Sequence, residues 1–244
     1  MKKPGFFRVL FYAVGLLVLA LGLTLNTKTG LGVSPIISVS YSISEIFDHN
    51  FGNITLALYS IFVVIQIILN LIRNRQYTVK SGRALSHAGK ADLKFILLMD
   101  CLQIPLGLIF TRFLNLFSTI IPDLYSDRQS AAGEMAIRVI VLVIAIILTG
   151  IGAAMSLNMR IVPNPGDDIV QAIADTIHRS VGLTKNCFDI INITITIVLS
   201  FVFAGHPVGV GVGTILSMIG VGRTIAVFNY FTYAKMKELA AVED

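Results

Sequence analysis

Six stretches of this chain are each long enough and apolar enough to cross a hydrocarbon layer: residues 6–25, 53–72, 95–121, 137–157, 186–205 and 213–232. A layer about 30 Å thick takes roughly 20 residues of helix. Backbone in lipid must satisfy its own N–H and C=O groups, which leaves the helix as the form an isolated span can take. The expected fold class is therefore all-α: a polytopic membrane protein with six transmembrane helices, whose first partner is the lipid bilayer. Composition agrees, since 55% hydrophobic residues exceed what a water-soluble core of this size needs, and 14% charged residues fall well below the usual share of about 25%. The sixth stretch is the least regular, interrupted by Gly220, Gly222 and Arg223.

Basic residues set the expected orientation, because Lys and Arg favour the cytoplasmic side. Lys2, Lys3 and Arg8 flank the first span, which has spanning length and no small-x-small cleavage site, so it is expected to stay in place. Arg73, Arg75, Lys80, Arg83, Lys90 and Lys94 crowd the connection between spans two and three. The connection after span three carries Asp123, Asp127 and Glu134 against Arg128, and "GHPVGVG" after span five has neither Lys nor Arg. Lys235 and Lys237 follow span six. Six spans with both termini in the cytoplasm result. This topology accounts for the net charge of +5 and leaves no reason to invoke a nucleic-acid partner.

The chain also repeats itself. At a constant offset of 130 residues Gly22 meets Gly152, Pro35 meets Pro165 and Gly52 meets Gly182, while Ile43 falls over Ile173 and Phe47 over Ile177. Each unit reads as a span, a bend with Pro, a short amphipathic helix, a Gly and further spans. Residues 1–121 form the first repeat, 122–132 an outward acidic connection, 133–232 the second repeat and 233–244 a cytoplasmic tail. An odd number of spans per unit turns the second repeat upside down, giving two inverted three-helix repeats.

Inverted repeats tend to hold their cargo where interrupted helices meet, so the two bends are the candidate site. In the first, Ser34 can cap and Pro35 fits the first helical turn of a short helix over 35–47. In the second, "NPGDDI", Asn164 and Pro165 take the same places, followed by Gly166, Asp167 and Asp168 on a helix over 165–178. Either helix is too short for an ordinary crossing and must be re-entrant or interfacial. Two readings of the paired carboxylates stay open. They complement the helix dipole on an interfacial helix, or they reach a cavity and bind a small polar solute or ion.

Polar residues inside the spans extend the candidate set. Asp100 and Gln103 lie three apart in span three, Asp189 and Asn192 three apart in span five, so each pair projects from one helix face. Arg223, about ten residues into span six, is expected to have a buried partner, Asp100 or Asp189, because a lipid-facing charge is costly. Arg112 is its weaker counterpart in span three. "GVGVGT" (209–214) lacks the Lys and context of a phosphate loop and is expected to serve close packing or an unwound entry to span six. Cys101 and Cys187 fall within spans, and the four histidines show no metal spacing. No cofactor or metal is expected, and no catalytic nucleophile, acid or base stands out.

The runs "GLGVSPIISVSYSISEIF", "VPNPGDDIVQAIADTI" and "VGVGVGTILSMIGVGRTI", in this order, resemble the YczE/YyaS/YitT group of bacterial multispanning membrane proteins over nearly the whole chain. The resemblance implies a bacterial plasma-membrane protein with repeated halves and lends no catalytic residues. Ser34, Pro35, Pro165, Gly166, Asp167 and 209–214 match the family pattern.

A small-solute transporter or solute-binding membrane protein accounts for the repeat, the bends and the intramembrane polar set together. Six spans are few for a complete carrier, which points to a homodimer or a partner subunit. The alternative is a membrane scaffold or regulatory partner docking through the basic 73–94 segment. A membrane enzyme would need an acid and base converging in a cavity, and the sequence offers carboxylates alone.

Overall fold

The computed structural model describes residues 4–81, 87–124 and 132–241. Among them are eight helices and no strands: α1 (Pro4–Lys28), α2 (Pro35–Phe47), α3 (Phe51–Ser81), α4 (His87–Ile120), α5 (Ala132–Asn158), α6 (Pro165–Ile177), α7 (Val181–Phe203) and α8 (Val212–Ala240). Six of these contain segments long and apolar enough to cross a membrane: Gly5–Lys28, Phe51–Arg75, Leu93–Ile120, Gly133–Asn158, Val181–Phe203 and Val212–Ala240. Large apolar side chains such as Ile61, Val64 and Ile68 on α3, and Ile190 and Val198 on α7, stand exposed along them, as helices solvated by lipid require. The protein is a multi-pass membrane protein. Lys2, Lys3, Arg83, Asp127 and Arg128, which entered the orientation argument, lie outside the described residues, as do the side chains of Lys80 and Lys90.

The two short helices are α2 and α6, each of 13 residues. Both start at a proline, where the missing N–H has no intrahelical role. Both end on a left-handed residue, Asp48 (φ 53°) and His178 (φ 54°), whose N–H bonds back to Ser44 O and Ala174 O respectively. The second therefore ends one residue before the expected 178. The offset of 130 runs through the backbone. Gly30 (φ 62°) and Arg160 (φ 48°) are left-handed at the equivalent place before each bend. The bonds Thr29 N–H to Asn26 O and Ile37 N–H to Ser34 O recur as Met159 N–H to Ser156 O and Asp167 N–H to Asn164 O. Such a posture is strained for Arg160, and its carbonyl is held by Arg8 Nη2 at 2.8 Å.

The helices pack as two compact units. One comprises Met1–Thr55, Phe110–Ile161 and Asp189–Asp244, the other Leu56–Ile109 and Val162–Phe188. Each draws on both halves of the sequence, so the packing units cut the chain differently from the repeats.

In the first unit α1 and α5 lie antiparallel, because the start of each meets the end of the other. Arg8 Nε donates to Met159 O at 2.8 Å and Arg138 Nε to Thr29 O at 2.6 Å. Midway, a Cβ added to Gly22 would collide with the backbone of Thr149, and one added to Gly152 with the backbone of Leu19. Small residues let membrane helices approach this closely. Exchanging the helices at the offset of 130 turns each contact into its counterpart. Leu142, Ile146 and Val221 then form the apolar core between α5 and α8, with Leu31 and Ile225 against it.

The first bend is clamped to the entry of α8. Val33 N–H donates to Gly209 O at 2.9 Å and Gly213 N–H to Leu31 O at 2.7 Å. Gly32 (φ 107°) leaves no room for a side chain beside Gly211. "GVGVGT" thus serves close packing, as expected. Ser34 occupies the N-cap of α2 without a side-chain capping bond, the turn being closed by Ile37 N–H to Ser34 O at 3.1 Å. The serines of α2 point elsewhere: Ser38 bonds Thr196 at 2.8 Å, Ser42 bonds Ser200 at 3.1 Å, and Thr55 donates to Ser40 at 3.1 Å.

The second unit holds α6 against α3 and α4. Its apolar contacts include the rings of Tyr59, Phe62 and Phe188, with Phe62 at 6.2 Å from Tyr59 and 5.5 Å from Phe188 between centroids.

Candidate functional site

The second bend is a helix start written in its own sequence. Asn164 has the extended backbone of an N-cap, its Oδ1 accepts from Gly166 N–H at 3.3 Å, and Pro165 takes the first helical position. The N–H groups of Asp167 and Asp168 both reach Asn164 O at 3.0 Å. The two carboxylates consequently fall in the first turn, where the helix dipole favours negative charge.

Side chains from α3 and α4 close on this start within the second unit. Gln66 Nε2 donates to Pro165 O at 3.0 Å, and Gln103 Nε2 donates to Asp168 Oδ2 at 2.6 Å. Both glutamines are fully buried, and Oε1 of each lacks a hydrogen-bond partner among the described residues. A buried acceptor left unpaired costs about 1–3 kcal/mol, so two of them on the side chains that hold this helix start call for an explanation. One turn from Gln103 on α4, Asp100 is buried and accepts from Asn70 Nδ2 at 2.8 Å. The pairing of Asp100 and Gln103 on one face of span three is as the spacing predicted.

A cavity of about 190 Å³ opens beside this cluster, lined by Asn70, Arg73, Asp100, Asp168, Gln171 and Asp175 together with apolar neighbours. Arg73 Nη1 pairs with Asp175 Oδ2 at 2.8 Å, and Gln171 Nε2 donates to Asp175 Oδ1 at 2.8 Å. Three carboxylates against one guanidinium leave two negative charges over when all are ionised, which favours a cation in the cavity. Burial pushes the Asp168 carboxyl up to about 6. The Gln103 bond opposes that rise, while Asp100, Asp167 and Asp175 add to it. Asp167 is also raised by burial, with Lys185 opposing. It lies beside the fully buried Tyr59 rather than on the cavity wall.

Of the residues singled out in the sequence, the second unit brings together Asn164, Pro165, Gly166, Asp167, Asp168, Asp100 and Gln103. Asp189 and Asn192 are buried on α7 in the first unit, at the head of a polar stripe continued by Thr196 and Ser200. Ser34 and Pro35 belong to the first unit too. Arg223 departs from expectation: it is exposed on α8 and makes no ion pair among the described residues. Gly213, Ser217 and Val221 form the buried stripe of that helix, and two further residues rotate Arg223 by about 200° to the opposite side. Arg112 is likewise partnered near the surface, donating to Asn53 Oδ1 at 3.1 Å.

Gln66, Asn70, Arg73 and Asp175 were not among the candidate site residues read from the sequence. Their signal was present, since 66, 70 and 73 mark one polar face of an otherwise apolar span, and Asp175 is two turns along α6 from Asp168.

The chain is 25% identical over 221 residues to the uncharacterized protein YyaS of Bacillus subtilis (strain 168), an alignment that spans 91% of this chain and 92% of that protein. No solved structure gives a significant match. A family model described as "Family of unknown function (DUF6198)" matches residues 6–85 and 90–230. With that match covering most of its length, and the YyaS relation alongside, the chain belongs to the DUF6198 family.

Proposed function

We propose that the protein is a small-solute transporter of the bacterial plasma membrane that binds a small cation at the second bend. One observation carries this reading: Gln66 and Gln103 commit their amide N–H groups to the bend, at Pro165 O and Asp168 Oδ2, and each keeps a buried carbonyl oxygen without a hydrogen-bond partner among the described residues. A cation, or the N–H groups of a protonated amine, is the chemical partner that two orphan acceptors and a carboxylate share. Asp100 and Asp175 in the same cavity strengthen the preference for positive charge. The short helix α6 then serves as the interrupted element at which inverted-repeat transporters hold cargo. Support for inversion comes from the antiparallel α1 and α5 with their exchanged contacts and from the charge pattern, which sets both termini in the cytoplasm.

The test is thermal unfolding of the purified protein in nanodiscs of neutral lipid, titrated with sodium, ethylammonium, putrescine or choline chloride. Ionic strength is held constant with N-methyl-D-glucamine. A bound cation at a hundred times its Kd stabilises by about 2.7 kcal/mol, roughly 5–10 °C for a chain of this size. At least one of the four should give such a rise, and Asp168→Asn should abolish it while the cation-free protein unfolds at no lower a temperature. No rise with any of them would overturn the proposal.

A further inference from the structure

The first bend has a cavity of its own, inside the first unit. It measures about 210 Å³ and is lined by the glycine-rich bend, by Tyr41 and Glu45 of α2, and by His206 and Gly209 before α8. Its walls are fixed by the backbone clamp between Val33 and Gly209. A Cβ added to Gly209 would come within 2.8 Å of Tyr41 Cδ1, so the ring lies against that glycine.

Two features point to what this cavity takes. The first is charge. Lys28 is paired with Asp123 at 3.0 Å, and the Glu45 carboxylate, which feels Asp123 and Lys28, is hydrogen-bonded by Tyr41 and has Asp48 nearby, makes no ion pair among the described residues. The second is correspondence. Val33, Tyr41 and Glu45 sit 130 residues before Pro163, Gln171 and Asp175, and all three of those line the cavity at the second bend. The same three positions of the repeat thus build a cavity twice, each time with a carboxylate at the third. Among the described residues no group of three His, Cys, Asp or Glu side chains is arranged for a metal ion. The donor set here is one carboxylate, an aromatic ring and an imidazole, which suits an organic ammonium group held by charge and by the ring face.

We propose that the first-bend cavity is a second cation site, taking a small organic ammonium with Glu45 as counter-ion and Tyr41 as the aromatic wall. Its geometry stands alone; the choice of ligand class extends the reading of the second bend.

Thiol labelling tests it. In a Cys101→Ala, Cys187→Ala background, Val208→Cys puts a thiol on the cavity wall. The protein, in nanodiscs of neutral lipid, is labelled with the cationic trimethylammonium-ethyl and the anionic sulfonato-ethyl methanethiosulfonates. Each rate is divided by that reagent's rate on free 2-mercaptoethanol. The cationic reagent should then be favoured about tenfold. Glu45→Gln should bring the ratio near one, Glu45→Asp should keep it, and ethylammonium should slow labelling when Glu45 is present and not in Glu45→Gln. A ratio near one in the Glu45 protein, or one that Glu45→Gln leaves unchanged, would overturn the site. Asp168→Asn should leave the ratio unaltered, so a failed cation response at the second bend with an intact ratio counts against that bend alone.

Discussion

Arg8 caps the helix that carries Arg138, and Arg138 caps the helix that carries Arg8. Each guanidinium Nε donates to the carbonyl just past the end of its antiparallel neighbour, at Met159 and Thr29 respectively. Charge and helix dipole agree at both ends. Hydrogen bonds of this charged kind contribute about 1.5–3 kcal/mol each. Arg8→Gln and Arg138→Gln should therefore lower stability by that amount and by similar degrees, measured as unfolding in mild detergent. A loss confined to one of them would contradict the exchange of contacts between α1 and α5.

The glycines at the centre of that pair make a sterner demand. A side chain at Gly22 or Gly152 would meet backbone rather than a movable side chain, and overpacking of this kind costs about 1–3 kcal/mol or more. Gly22→Val and Gly152→Val should both cut the yield of folded protein sharply. Gly222→Ala, where nothing lies within 4 Å, should not. Size-exclusion profiles of the three variants decide the matter.

Much of this was legible in the residues. The starts of α2 and α6 follow from a proline whose missing donor is free only in a first turn, and the offset of 130 announced the backbone correspondence. Contacts that depend on a distant carbonyl were not legible. Arg8 looked like one more cytoplasmic charge, although its alignment with Arg138 lay within the same repeat. Arg223 was misplaced because its depth was weighed and its face was not. The serines of α2 likewise gave no sign that they would bond Thr196 and Ser200 rather than cap a helix.

Titration of Asp168 gives the cation site a pH signature. With its carboxyl raised to about 6, the folded protein holds this proton more tightly than the unfolded chain does. Stability contributed by the proton is thus present below the ordinary carboxylate range and lost as pH rises through about 6. Cation binding needs the ionised form and should run the other way, weakening about tenfold per unit below pH 6 and flat above it. Asp168→Asn should erase both slopes. Affinity independent of pH between 5 and 7 would contradict the assignment.

Arg73 is the competing positive charge in the cavity. Its ion pair with Asp175 is half-exposed, and such pairs contribute about 0–1 kcal/mol. Arg73→Gln should therefore change the Tm little while tightening cation binding severalfold, and Asp175→Asn should weaken it. Equal and opposite effects on affinity are not required, but a weaker site after removal of Arg73 would rule out a cationic cargo.

The most direct measurement compares two adjacent carboxylates. Binding isotherms of the stabilising cation are recorded at pH 7.5 for the parent protein, Asp168→Asn and Asp167→Asn. Both changes keep side-chain size and leave the Asn164 cap untouched. Asp168 lines the cavity with Gln103 bonded to it, whereas Asp167 faces Tyr59. Asp168→Asn should reduce affinity at least tenfold, about 1.4 kcal/mol, and Asp167→Asn less than threefold. Parent-like binding by Asp168→Asn, or a larger loss from Asp167→Asn, would contradict cation binding at the second bend.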